Sequence, residues 1–150
     1  MKATVTDGIP VPVYHAEPTL ARFHASDAFF RGVRGPLGSG KSVGCCAEVM
    51  SRILRQKAFM GLRRSRWAII RNTYGELKTT TIKTWMDWYG AVTKISYGHP
   101  IMGLINMPLQ DGTAVQAELV FISLDRPDYV KKLKSLELTG VWLNEASELP

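Results

Sequence analysis

The chain lacks several things, and each absence narrows what it can be. It has 150 residues and two cysteines, Cys45 and Cys46, which are adjacent. Neighbouring side chains on a helix point in different directions, so an internal disulfide is not expected. A single pair with no further ligands makes no zinc site. At least one of the two thiols is expected to serve as a small core residue. No apolar run approaches the roughly 20 residues of a membrane span. The opening MKATVTDGIPVPVYHAEP has one Lys and three prolines but no apolar core, so it is not a signal peptide. A cytoplasmic location, with no membrane partner, is the expectation. There is no repeat, no low-complexity tract and no linker that would divide the chain.

Acidic residues are missing from one long interval. Between Glu48 and Glu76 there is no Asp or Glu, while Arg52, Arg55, Lys57, Arg63, Arg64, Arg66 and Arg71 all fall there. The net charge is +6. A one-signed block of this kind suits a polyanion such as nucleic acid, or it is a solvated helix end and loop.

What is present has an order. Residues 1–18 look irregular, TLARFHAS reads as a short helix, and AFFRGVRG reads as a strand closed by glycine. KSVGCCAEVMSRILRQKAFM carries Val43, Cys46, Val49, Met50, Ile53 and Leu54 at helical spacing. RWAIIR is a second short strand. TYGELKTTTIKTWMDWYG looks helical through Leu77, Ile82, Trp85 and Trp88, although the β-branched Thr79, Thr80 and Thr81 are poor helix formers. Asp111-Gly112 between two strand-like runs signals a hairpin. RPDYVKKLKSLEL reads as a short helix, with Pro127 in its first turn. GVWLNE reads as a buried strand ending in polar residues. Alternation of this kind predicts an α/β fold with a largely parallel sheet and a β-hairpin insertion.

The segment between the first strand and the long helix carries the chemistry. Gly35-Pro36-Leu37-Gly38-Ser39-Gly40-Lys41-Ser42 fits the phosphate-loop pattern G-x-x-x-x-G-K-[ST]. A triphosphate needs many short donors at close range. Glycines clear side chains from the loop, and the helix that follows aims its free N–H groups and positive dipole end at the phosphates. Lys41 would reach the β- and γ-phosphates of ATP, and the Ser42 hydroxyl would ligate Mg²⁺. With Gly at about 7% of residues, a chance match in a chain this long is on the order of a per cent or less. At the far end, Val141-Trp142-Leu143-Asn144-Glu145 has the form of an apolar strand ending in a water-orienting carboxylate. Glu145 stands where the base is expected, and Glu148 competes with it. Asn144 stands where a metal-supporting Asp is expected, so weaker Mg²⁺ support follows.

FHASDAFFRGVRGPLGSGKS, AIIRNTYGELKTTTIKTW and LDRPDYVKKLKSLELTGVWLNEASEL, in that order, resemble the N-terminal ATPase region of the large terminase subunit, the DNA-packaging motor of tailed double-stranded DNA bacteriophages. The resemblance spans about residues 19–150. It implies a P-loop NTPase fold of the additional-strand, conserved-glutamate type. It also implies a ring of subunits on a portal protein, a small terminase subunit as partner, double-stranded DNA as cargo, and host cytoplasm as location. By motif position Lys41, Ser42 and Glu145 take the phosphate, magnesium and water-activating roles. Leu37 occupies a position where many members carry Arg, so Arg34, or Arg71 acting on a neighbouring subunit, is the candidate γ-phosphate sensor. In such folds a later strand separates the glutamate strand from the loop strand. AFFRGVRG is therefore expected to lack a sheet neighbour here, and neither the coupling segment nor a nuclease domain lies within the 150 residues. The rivals are another P-loop nucleic-acid motor of the helicase class and a truncated, non-catalytic nucleotide-binding fragment.

Overall fold

A computed structural model describes residues 3–6 and 9–148. The elements run β1 (Ala3–Thr6), β2 (Ile9–Pro12), α1 (Pro18–Ala25), α2 (Lys41–Leu54), β3 (Leu62–Arg71), α3 (Tyr74–Glu76), a π-helix (Leu77–Ile82), α4 (Lys83–Tyr89), β4 (Lys94–Ser96), β5 (Ile101–Pro108), β6 (Ala114–Ser123), α5 (Pro127–Leu133), β7 (Gly140–Leu143) and a 3-10 turn (Ala146–Glu148). The class is mixed α/β.

The main sheet has five strands in the order β4-β5-β6-β3-β7. β3 pairs in parallel with both β6 and β7, while β4-β5 and β5-β6 are antiparallel. The sheet is therefore mixed and not largely parallel. The reason lies in the hairpin. Asp111-Gly112 does turn the chain, with Gly112 at φ 83°, but the returning strand β6 is interior to the sheet, between β5 and β3. The hairpin is part of the core and carries its antiparallel partner with it.

Two apolar layers cover the sheet. On one face Cys46, Val49, Met50 and Ile53 of α2 meet Leu77, Ile82, Trp85 and Tyr89 and the sheet residues Ile69, Leu119 and Phe121. The helical run buries Tyr89 where the spacing pointed to Trp88, which is only half-buried. On the other face Tyr129 of α5 packs with Ala68, Ile70, Val120 and Ile122. Trp142 is buried in the first layer, while Val141 and Leu143 on the opposite face stay half-exposed. The expectation of a buried strand thus holds for one face of β7 only, as befits an edge strand.

Two local expectations are corrected. Residues 3–6 and 9–12 are not irregular but form an antiparallel pair, Ala3 opposite Pro12 and Thr6 opposite Ile9. AFFRGVRG is not a strand. Among the described residues no strand lies beside it, so its N–H and C=O groups have no ladder to join. Phe29 and Phe30 are 93% and 88% exposed and pack edge-to-face on each other at 4.9 Å. Strand propensity in these residues expresses a surface that fits a sheet, and it has no effect without a neighbour.

Candidate phosphate loop and strand-end carboxylate

The loop at 35–40 takes its shape from its glycines. Gly38 and Gly40 both sit at φ 76°, in the left-handed region that side chains disfavour. Gly40 is the residue before α2, and no side chain caps the helix there. The first turn of α2 also contains no acid. Its leading N–H groups, orphaned by helix geometry, therefore face outward with the positive end of the helix dipole. Lys41 folds back over the loop. Its Nζ donates to Gly35 O at 2.5 Å and to Pro36 O at 2.8 Å. Ser39 N–H donates to Pro36 O at 3.4 Å. The lysine thus occupies the mouth of the loop as an internal cation, held by two carbonyls. Leu37 is fully exposed.

At the other end of the sheet chemistry, Asn144 N–H donates to Ile70 O at 2.9 Å and extends the β3-β7 ladder by one bond. The next residue, Glu145, has φ 54°. A left-handed non-glycine residue is uncommon and costs on the order of 1 kcal/mol or more. The turn swings the chain out of the sheet at the carboxyl end of a parallel strand, the place where ligands bind in open α/β sheets. Glu145 is half-buried, and Glu148 lies beyond it in the 3-10 turn. The Cys45 thiol lies one turn into α2. Burial pushes it up to about 11, chiefly, and the charges of Glu48, Arg31, Glu145 and Lys41 also act on it. Burial also raises the Cys46 thiol, and both cysteines are free, as expected from their spacing.

Arg71 ends β3. Its guanidinium lies 3.6 Å from Glu76 Oε1, and its side chain is largely buried. Arg34 is exposed on the segment leading into the loop. Ser42 is half-buried in the first turn of α2. No group of three or more His, Cys, Asp or Glu side chains among the described residues is arranged to hold a metal. Ser42 and Asn144 each offer a neutral oxygen, which suits a cation that comes with phosphate oxygens rather than one caged by protein. No helix among the described residues is long and apolar enough to cross a membrane.

Two features escaped sequence reasoning. Glu48, in the middle of α2, is a buried hub. It accepts from Arg31 Nη1 and His24 Nδ1 at 2.6 Å each and from Arg52 Nε at 2.7 Å. Burial would raise its pKa, but the bonds from Arg52, His24 and Arg31 outweigh that and hold it at about 2. The hub ties the segment entering the loop at 35–40 to the helix leaving it. Only the Glu48-Arg52 spacing of four was visible beforehand. The second feature is the basic block, which is largely neutralised within the chain. Arg52 also meets Asp27, Arg63 meets Asp111 and Thr113, Arg66 meets Glu118, and Arg64 donates to Gln116. The first half of β3 alternates with β6 in charge and polarity, so these arginines brace the sheet. Arg55 and Lys57 stay exposed.

No protein-family model, curated protein or solved structure matches this chain.

Proposed function

We propose that the chain is the nucleotide-binding and hydrolysing part of a P-loop ATPase of the large terminase type, which in its assembled form moves double-stranded DNA into a procapsid. The observation that carries the ATP-binding part is the uncapped N-terminus of α2 behind a left-handed glycine loop with Lys41 at its mouth. That combination supplies free N–H donors, a dipole and a mobile cation to one small volume, which is the requirement of a phosphate chain. The residues present fit Mg·ATP. Gly35 to Gly40 would cradle the phosphates, Lys41 would exchange its two carbonyls for phosphate oxygens, and the Ser42 hydroxyl and Asn144 amide would face the metal. Mg²⁺, when bound, would supply neutralisation of the phosphate charge. Glu145 would orient the attacking water by accepting its proton, and it is half-buried, so solvent can reach it.

The motor assignment rests on the sequence resemblance, with portal protein, small terminase subunit and a homo-oligomeric ring as the partners it implies. A helicase-class motor shares the same loop and carboxylate. What favours DNA packaging is the run from Arg71 through the threonines to Trp85, joined to the strand ending in Glu145. Arg34 and Arg71 remain the candidates for a γ-phosphate contact. Arg71 would have to leave Glu76 to act across a subunit boundary.

Lys41→Ala tests this. In protein that releases phosphate from ATP, the substitution is expected to reduce the rate to background, because it removes the one loop cation facing the transferring group. Unchanged phosphate release would reject the site.

A further inference from the structure

The threonine run in TYGELKTTTIKTW looked like a weakness in a helix. Its hydroxyls have separate fates. Thr79 donates to Gly75 O at 2.8 Å and Thr80 to Glu76 O at 2.6 Å, both within their own helical run. Both are exposed. Thr81 differs. It is 1% exposed, and its Oγ1 accepts a 2.8 Å hydrogen bond from Asn144 Nδ2, 63 residues away. Asn144 is itself 6% exposed. The π-helix is the local cause. Its wider turn lets adjacent positions 81 and 82 both face inward, Ile82 into the apolar core and Thr81 toward the end of β7. Such π-turns recur at functional sites.

We infer that Thr81 is a positioning residue for the strand-end carboxylate. Asn144 is fixed at two points. Its N–H is held by Ile70 O and its Nδ2 by Thr81. The side-chain amide is thereby oriented, and Oδ1 makes no hydrogen bond among the described residues. The residue fixed in this way is the one immediately before the left-handed Glu145. A turn with an unfavourable φ persists only where its surroundings over-determine it, and the Thr81 bond is the side-chain contact that adds to the Ile70 bond in doing so. Without the hydroxyl, Asn144 keeps a buried donor with no acceptor, and it would turn to find one. Glu145 would turn with it. The helical run after Arg71 is thereby coupled to the carboxylate, and the threonine at 81 has a purpose that 79 and 80 do not share. The functional consequence rests on the role proposed for Glu145. The mechanical one does not.

The test uses the full chain with Thr81→Val, which keeps the β-branched shape and removes the hydroxyl, and Thr81→Ser, which keeps the hydroxyl. Amide hydrogen exchange reads the turn directly. In Thr81→Val, exchange at Asn144, whose N–H is held by Ile70 O, is expected to accelerate by about tenfold or more, with the β5-β6 hairpin unchanged, and Thr81→Ser should restore it. In protein that turns over ATP, Thr81→Val is expected to lower kcat with KM for ATP unchanged. Wild-type exchange at Asn144 in Thr81→Val would overturn the inference. So would an even acceleration across the sheet, which marks a merely structural loss, while an unaltered kcat would overturn the functional consequence. If Lys41→Ala has no effect while local exchange still responds to Thr81, the ATPase assignment fails and the positioning of the turn stands.

Discussion

Glu145→Gln is expected to leave ATP bound and to cut turnover by about 10²–10⁴-fold, the usual contribution of a positioned general base. The amide has nearly the shape of the carboxylate, so the left-handed turn and the Asn144 contacts survive it. What is lost is the proton acceptor alone, while the loop at 35–42 and the α2 N-terminus are untouched. The signature is therefore a fall in kcat with the nucleotide dissociation constant preserved. A single-turnover measurement beside an equilibrium nucleotide titration separates the two. If Glu148→Gln is the inactive variant and Glu145→Gln turns over normally, the base has been assigned to the wrong carboxylate.

Glu48→Gln is expected to have the largest effect on stability. The carboxylate is buried and answers Arg31, Arg52 and His24 together. Removing its charge leaves two guanidinium groups facing a neutral amide. Breaking a buried ion pair costs about 3–5 kcal/mol. The arginines retain some contact with water, so about 3 kcal/mol is expected, or a Tm lower by about 6–12 °C in a chain of this size. The pH dependence follows from the sign of the shift. The folded-state pKa of about 2 lies below the ordinary 4.5, so the charged form is favoured by folding. Its contribution is complete above about 4.5 and is lost as pH falls toward 2. The Tm gap between wild type and Glu48→Gln should therefore narrow across that window. A gap that stays constant down to pH 2 would mean that Glu48 contributes by shape and not by charge.

The elements that were legible in the sequence are those whose cause is local. The apolar stripe of α2, the Asp111-Gly112 turn, Pro127 at the start of α5 and the apolar run of β7 each declare themselves within a few residues, and each is present. The features that were missed depend on partners far along the chain. Arg66 finds Glu118 because β3 and β6 lie in register, Arg63 finds Asp111 in the turn that precedes β6, and no inspection of residues 52–71 alone reveals either. AFFRGVRG has the composition of a strand, but a strand is a pairing and not a property of one segment. At the candidate site the phosphate-loop glycines were visible because left-handed backbone demands them. The Thr81-Asn144 bond was not, since it needs both a π-turn and a sheet edge to bring its ends together.

The most direct measurement is a titration of the 150-residue chain with Mg·ATP, followed residue by residue through backbone amide chemical shifts. If α2 and its loop form a phosphate site, saturable shifts should concentrate at Gly38, Ser39, Gly40, Lys41 and Ser42, and Lys41→Ala should remove them. Shifts absent at millimolar nucleotide, or identical in Lys41→Ala, would contradict the assignment.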